Sequence, residues 1–595
     1  MTKNKMAGAQ RPAPPADMQQ PLSEEQQELV REVYGRLRVF WQGCREMHAR
    51  ARESRLIYMC QDPKQDEKGV RGRTIQLQTL KSTINNSIAD QMDNMPEAML
   101  LPENPELQEV ADDATDAVRY VMQANDYPAI HRRLTEDFYV TGTSLVQVAW
   151  DKTMDYGKGN VALIRWPIDA FLWDPQCEDL QDSRAVFKLC WKPRSWFAAH
   201  YPEQAPFVGA EEYEDGMAER LSQADYDRAA DEDRALMIEY WYRLFDADAG
   251  RYTINVAYCA GGALLDEQHD VYAHGLYPFV MATYNHIDGM PAGDGMAQEL
   301  APMMRYINRY HRYVDMNLKM SSKARMLTKR NANINRADLV DWSKDVIEGD
   351  QINEDSIRWL QHAPLNGMIV QMMLQMQTDM KQDSGQSEFA RGETAGSVSA
   401  ASAISMLQEA GSKITRLRTK DLNDAYKKVV EQVLWLMAEF YDDKRKMLIT
   451  GATGEQREIA MGARYLFGHS TRLKGAIQPP PYAVQVNVYR SNPANVTAQN
   501  ELFIKAYSMA AEAQQAFPLS ALFGMLNVDG KDRILPVLRE IEAQNSQMKQ
   551  LAQQNEQLAQ QNGELSKQAE KLSQLNNRYV AAMTGTQTST GGLQY

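Results

Sequence analysis

Residues 161–174, VALIRWPIDAFLWD, decide the class of fold. The opening segment, Val161–Trp166, is short and rich in β-branched and aromatic side chains, which is typical of a strand. Turn-forming residues flank the stretch, at 155–159 before it and at Asp174-Pro175 where it ends. This alternation of short apolar segments and turns predicts β-structure here.

The same pattern extends outward from this stretch over much of the first half of the chain. Gly261-Gly262 lies between two such segments and predicts a hairpin turn. Upstream, Ser23 followed by Gln26 predicts the capping box of a helix, so the fold class is α+β. The further predicted strands are Ser144–Trp150, Ala185–Trp191, Arg234–Asp246, Tyr252–Cys259 and Pro278–Asn285, and the further predicted helices are Thr79–Met95 and Pro105–Asn125.

Helical spacing returns after residue 294. Met296–Ser322 is predicted as one helix, with Pro302 near its start, where proline is tolerated. Asn366–Asp383 is predicted as a second helix. A longer helix is predicted over residues 404–440, and Gly411 inside it predicts a kink.

Basic residues dominate the segment from Arg305 to Arg336, where Asp315 is the single acid. In a chain of net charge −14, this reversal indicates a surface for an anion, either DNA or an acidic partner. A solvated helix face with ion-pair partners elsewhere in an assembly explains it equally well. The sequence leaves both interpretations open.

A heptad repeat occupies the last part of the chain. Leucine recurs every seven residues at position d, with asparagine at several of the a positions, which predicts a helical coil or tube. Buried asparagines at a are expected to fix the register of such a helix. The residues that define the repeat are Leu551, Asn555, Leu558, Asn562, Leu565 and Leu572.

Composition and motifs argue against several classes of function. The chain has 79 acidic and 65 basic residues, so a broad basic surface that grips nucleic acid is not expected. It holds no phosphate-binding loop, zinc-protease motif, serine elbow or kinase signature, and we predict no enzyme activity, no cofactor and no metal. His269 and His274 lie among acidic residues and could ligate a metal, although a solvated loop is the simpler interpretation. No apolar window is long enough for a membrane span.

The order of these parts resembles the portal proteins of tailed phages, particularly those of short-tailed phages. The motifs that carry the resemblance are VALIRWPIDAFLWD, with Asp182-Ser183-Arg184 after it, and GETAGSVSAASAISML at Gly392–Leu407. The resemblance implies a portal fold with an α/β wing, a helical stem, a small α/β clip, a helical crown and a coiled-coil-like C-terminal barrel. It divides the chain into a flexible N-terminal arm (1–22), wing (23–294), stem helix (295–322), clip (323–364), stem helix (365–385), tunnel loop (386–402), kinked helix with the rest of the wing (403–490), crown (491–540), barrel (541–580) and disordered tail (581–595).

The resemblance also implies a function. Twelve subunits would form a ring at one capsid vertex of the virion, after assembly in the host cytoplasm, and double-stranded DNA would be packaged and ejected through it. The expected partners are weakly and non-specifically bound DNA, the terminase large subunit, the tail adaptor, and the major capsid and scaffolding proteins. The tunnel-loop residues expected to meet DNA are Arg391, Glu393, Ser397 and Ser399, and the clip residues expected to dock the motor or adaptor are Lys323, Arg325, Lys329 and Arg330.

Two other classes of protein explain part of the sequence. The terminal heptads alone would suit an intracellular coiled-coil scaffold, but a scaffold does not account for the series of helix, basic segment, helix, loop and long helix. A packaging nuclease or NTPase would need catalytic motifs, and the phosphate loop of the common NTPases is missing.

Overall fold

A computed structural model describes most of the chain and divides it into two compact units. The first unit holds residues 1–447 and 459–489, and the second holds 448–458 and 490–595. We call the first unit the body. The described residues are 20–65, 76–102, 108–209, 234–247, 250–322, 325–328, 357–360, 367–385, 413–442, 445–450, 456–467, 479–488 and 531–586, with a few isolated positions between them.

Two antiparallel sheets form the centre of the body. The larger sheet has the strand order β4-β5-β6-β7-β8 and the smaller has the order β3-β2-β9. Gly261 and Gly262, both at positive φ, connect β7 to β8, which confirms the predicted hairpin. The strands are β2 (Thr143–Asp151), β3 (Asn160–Trp166), β4 (Phe171–Trp173), β5 (Ala185–Pro193), β6 (Arg234–Asp246), β7 (Arg251–Ala260), β8 (Ala263–Gln268) and β9 (Phe279–Thr283), and a short pair follows, β10 (Asn285–His286) with β11 (Gly293–Asp294).

Helices pack against these sheets through their apolar faces. The backbone N–H of Gln26 donates to Ser23 Oγ, and the N–H of Ser23 donates to Gln26 Oε1, each at 3.2 Å, so the predicted capping box is confirmed. The helix that begins there buries Phe40 and Trp41 in the main core. The helices of this part are α1 (Glu24–Tyr58), α2 (Thr79–Met92), α3 (Gln108–Ala124), α4 (Tyr127–Thr141) and α5 (Arg194–His200).

Helix α4 and one strand pair differ from the sequence expectations. No helix is predicted between residues 126 and 143, but α4 covers Tyr127–Thr141 and buries Phe138, Tyr139 and Val140. These side chains have strand-like composition, and burial on most sides hides the helical period. Strand β1 (Pro96–Pro102), which the sequence did not predict, pairs with a strand almost 400 residues later in the chain.

The predicted helix series after residue 294 is confirmed in its described parts. Helix α6 covers Met296–Ser322 and α7 covers Gly367–Asp383. Between them, β12 (Arg325–Thr328) pairs with β13 (Ile357–Leu360). The long helix is described as α8 (Lys413–Phe440), while Gly411 and its predicted kink lie outside the described residues. The remaining elements up to residue 488 are β14 (Lys446–Thr450), β15 (Gln456–Ala460), α9 (Ala463–Phe467) and β16 (Tyr482–Val488).

The second unit contains one long terminal helix, α10, from Lys531 to Thr586. It begins ten residues before the predicted barrel helix at 541. It also extends beyond 580, so residues 581–586, expected as the start of a disordered tail, are helical, and the rest of that expected tail lies outside the described residues. Alanine and methionine at 581–583 favour helix and continue it.

Candidate functional surfaces

Helices α6 and α7 pack against each other, and each is buried at one end and exposed at the other. The first half of α6 buries Met296, Leu300 and Ile307 in a core with residues of α2 and α4. On α7, Met380 near the C-terminal end is fully buried in the same core. The exposed ends are therefore the second half of α6 and the first half of α7, and the pair projects from this core.

The projecting ends carry apolar side chains that are exposed among the described residues. In a single subunit such a concentration of exposed apolar surface marks a contact for another chain. The methionines of α7 divide into two groups: Met373 and Met376 pack on the core, whereas Met368 and Met372 are exposed. The exposed residues of these ends, with exposures between 36% and 69%, are Tyr313, Met316, Leu318, Met368, Val370, Met372 and Leu374. Tyr306, earlier in α6, is also 49% exposed.

Arg305 fastens the base of α6 to the body. Its Nε donates to Asp62 Oδ2 at 2.7 Å, and its Nη2 lies 2.7 Å from Glu53 Oε1, which also pairs with Lys64 at 2.6 Å. Burial lowers the pKa of Arg305, but the hydrogen bonds to these two carboxylates outweigh burial and raise the pKa above its ordinary value. Arg305 therefore belongs to an ion-pair network within the subunit. For this first member of the basic run, the anion-surface interpretation is wrong.

Other basic residues of the run stay at the surface of α6. The Arg309 guanidinium lies over the Tyr306 ring at 5.3 Å from its centroid, and Lys319 pairs with Asp315 at 2.5 Å. The side chain of Lys319 is 70% exposed. This part of the helix keeps a basic character that a partner could meet.

Arg418 holds the first turns of α8, sixteen residues after the predicted end of the tunnel loop at 402. Its guanidinium lies 4.0 Å from the centroid of the Tyr284 ring, and it donates to the Tyr284 carbonyl and to Asn285 Oδ1, the latter at 2.6 Å. Thr419 donates to Gln91 at 2.9 Å. Sequence reasoning missed this clamp because its partners lie 133 or more residues away.

Helix α10 exposes its heptad leucines. Each of the four is more than half exposed, from 55% to 67%, and the a-position residues Asn555 and Asn562 are exposed as well. A helix this polar has little to stabilise it alone, because most helical stability in proteins comes from packing of an apolar face. The leucines are Leu551, Leu558, Leu565 and Leu572.

Most of the other sequence-predicted site residues lie outside the described part of the chain. This holds for all four tunnel-loop residues, Arg391, Glu393, Ser397 and Ser399, and for the clip residues Lys323, Lys329 and Arg330. Arg325 is the first residue of β12.

The buried histidines have the environment of packed core residues. Burial lowers the pKa of His48, His131 and His274 to about 4, so all three are neutral at pH 7. His274 is therefore not the solvated loop residue that we expected, and it stacks on Tyr272 at 5.4 Å. Among the described residues, no group of three or more His, Cys, Asp or Glu side chains is arranged to hold a metal ion.

The chain matches the model of a known protein family. A family model described as phage P22-like portal protein matches residues 71–578, which include both helices of the projecting pair and nearly all of α10. No curated protein matches the chain. None of the described helices has the length and apolar composition needed to cross a membrane.

Proposed function

The chain belongs to the phage P22-like portal protein family, and we propose that twelve copies form a closed ring through which double-stranded DNA enters and leaves the capsid. The observation that carries this proposal is the exposed apolar surface on the projecting ends of α6 and α7. A ring gives every subunit two neighbours through one repeated contact, so identical surfaces are covered all the way around.

The helix α10 would be covered in the same assembly. Copies of α10 from neighbouring subunits would pack side by side through their leucines and form the C-terminal barrel. The a-position asparagines would then meet at equal heights and favour a single register. The division into wing, stem, clip, crown and barrel remains part of this proposal.

The residues that would meet DNA are those of the tunnel loop. We assign weak, sequence-independent contacts to Arg391 and Glu393, with Ser397 and Ser399 hydrated beside them. Each phosphate neutralised by Lys or Arg adds affinity, so a channel that must let DNA slide has reason to carry few cations. The net charge of −14 per subunit agrees with such a channel.

The clip would bind the two partners that replace each other at the capsid vertex, the packaging motor and the tail adaptor. Lys323, Arg325, Lys329 and Arg330 form a basic cluster in the sequence, suited to an acidic surface of the terminase large subunit during packaging and of the tail adaptor afterwards. Major capsid and scaffolding proteins would surround the ring in the virion, after assembly in the host cytoplasm. In this role the protein is a conduit without enzyme activity of its own, and we expect no ATP hydrolysis by the purified chain.

Negative-stain electron microscopy of the purified full chain tests the proposal. We expect closed rings with a central hole. The exposed heptads of α10 favour one second candidate, a coiled-coil scaffold, and this candidate would give elongated dimers or trimers without a hole. Such particles at all protein and salt concentrations would reject the ring.

A further inference from the structure

The body contains a cavity of about 620 Å³ that none of the proposed portal roles uses. Its walls come from four parts of the body: residues 178–181, residues 276–291, the second half of α8, and residues 479–482. This volume lies within the range of sites that hold small ligands or a few side chains.

Gln432 of α8 lines this cavity with an unpaired hydrogen-bond acceptor. The residue is only 4% exposed, and its Nε2 donates to the Tyr277 carbonyl at 3.1 Å. This bond fixes which end of the amide is the nitrogen. Its Oε1 has no hydrogen-bond partner among the described residues. A buried acceptor without a donor costs about 1–3 kcal/mol, so an occupant whose N–H group reached this oxygen would be favoured.

The charged residues around the cavity select a cation. Three carboxylates, Glu178, Asp179 and Glu431, line it together with one ammonium, that of Lys428. His286 also lines it, with Nε2 3.9 Å from Glu178 Oε1. Glu431 is about half exposed and lies 3.9 Å from Lys427, so its charge is only partly compensated.

The remaining wall suits proline. Trp435 and Tyr482 line the cavity beside Pro479 and Pro480. Aromatic-lined grooves bind proline-rich segments in the polyproline II conformation, and aromatic faces also attract guanidinium groups. An arginine next to prolines combines both requirements.

The N-terminal arm of this chain contains such a segment. Residues 1–19, which lie outside the described part, carry Lys3, Lys5 and Arg11 against the single acid Asp17, and Arg11 begins the sequence Arg-Pro-Ala-Pro-Pro at 11–15. We propose that this cavity is a docking site for the segment 11–15 of the same subunit. The Arg11 guanidinium would donate to Gln432 Oε1 and pair with Glu431, and the prolines would pack against Trp435 and Tyr482.

The position at which the arm joins the body lies close enough to the cavity for the arm to reach it. Gln20 is held on β8, since its Nε2 donates to the Leu264 carbonyl at 2.7 Å and its Oε1 accepts from the Leu264 N–H at 3.0 Å. Leu264 pairs with Cys259, which pairs with Ile238 of β6. Five residues further along β6, Arg243 donates to the carbonyl of the cavity residue Gln181.

Standard strand geometry gives the distance from Leu264, where the arm is held, to Arg243, which contacts a cavity residue. Five residues along a strand and two strand spacings place Leu264 about 20 Å from Arg243. The nine residues from Gln20 back to Arg11 span up to about 30 Å when extended. The arm therefore reaches the cavity without help from another subunit, and this inference does not depend on ring formation.

A labelled synthetic peptide of residues 6–17 tests the site by fluorescence anisotropy. The peptide is titrated with a variant of the full chain that carries Arg11→Ala, Pro12→Ala and Pro15→Ala, so that the chain's own arm no longer competes. We expect this variant to bind the peptide at least tenfold more tightly than the wild-type chain does, because a tethered arm acts at a high effective concentration. Absence of peptide binding to the variant, or equal binding to both chains, would overturn the proposal.

Two further substitutions, each added to this triple variant, test whether the peptide binds at the cavity. Glu431→Lys reverses a half-exposed charge, and Gln432→Leu removes the unpaired acceptor while the Tyr277 carbonyl keeps a second donor, Gln181 Nε2, at 3.2 Å. Each should weaken peptide binding at least tenfold. The matched control Glu564→Lys makes the same charge reversal on the exposed α10 and should leave peptide binding unchanged. Binding that survives both cavity variants contradicts the site, and native mass measured on the same samples reports ring assembly separately.

Discussion

The body and the terminal helix treat their apolar side chains in opposite ways. The core of the body buries large aromatic residues almost completely: Trp173, Phe187 and Tyr240 are at most 2% exposed. Helix α10 leaves its heptad leucines more than half exposed. The core of the body therefore forms within one chain, whereas the proposed function has α10 covered by copies of itself. Substitutions in the two regions should differ in their effect on the stability of the body.

Removing the ion pairs of Arg305 at the base of α6 should give the largest loss of stability in the body. In the Arg305→Ala variant, Asp62, which is 3% exposed, loses its cationic partner. Breaking a buried ion pair on one side costs about 3–5 kcal/mol. All ten tryptophans precede residue 448, so urea unfolding followed by tryptophan fluorescence measures the body alone. Arg309→Ala, which removes an arginine that has no acidic partner among the described residues, is the control, and an equal loss in both variants would contradict the stabilising role of the Arg305 ion pairs.

Acid should weaken the body through its buried histidines. The unfolded chain binds a proton near pH 6.5, while burial holds the pKa of His131 at about 4, so the folded state binds fewer protons between these values and stability falls as pH decreases. From pH 7 to pH 5 this single histidine should cost about 2 kcal/mol. The loss between these two pH values should be smaller by that amount in His131→Gln. The same pH dependence in the variant and in the wild type would reject this cause.

Loss of the capping box should cost the body less. Ser23→Ala removes the side-chain acceptor for the Gln26 N–H, and removal of an N-cap costs about 1 kcal/mol. The urea midpoint of the body should fall accordingly. Ser82→Ala, whose hydroxyl donates to the Thr79 carbonyl one turn earlier in α2, should change the midpoint much less. A Ser23→Ala variant as stable as the wild type would show that the cap contributes nothing.

The smallest effect on the body is expected from the terminal leucines. Leu558→Ala together with Leu565→Ala should leave the urea midpoint of the body unchanged within about 0.5 kcal/mol, the usual range for exposed sites. In the assembled protein the same change should expose α10 to protease, because it removes the contacts between copies. Unchanged protection of α10 would mean that these leucines do not pack against neighbours.

The sequence predicts elements well where the periodic pattern is undisturbed. Strand β6 and helix α6 begin and end at the predicted residues, because turns or a change of period mark their ends. Helix α4 was missed since Phe138, Tyr139 and Val140 are typical of strands and burial obscures their period. Propensity describes single residues, whereas the core decides the conformation of a buried segment.

The candidate surfaces were predictable only in part. Heptad spacing identifies the leucines of α10 directly, because the repeat is local in the sequence. Arg305 was grouped with the basic run, since nothing near it in the sequence indicates Asp62, 243 residues away. Gln432 and the cavity around it have no sequence signal either. They arise from four segments brought together by the fold.

Native mass of the purified full chain tests the central claim most directly. The subunit has a mass of 67.6 kDa, and our account predicts one closed ring of twelve copies, about 811 kDa. When the chain is truncated after residue 540, the ring should still contain twelve copies, each lighter by the missing segment. A monomer, dimer or trimer at every protein and salt concentration would contradict the ring. A ring that dissociates when α10 is removed would instead assign assembly to the terminal helix and not to the body.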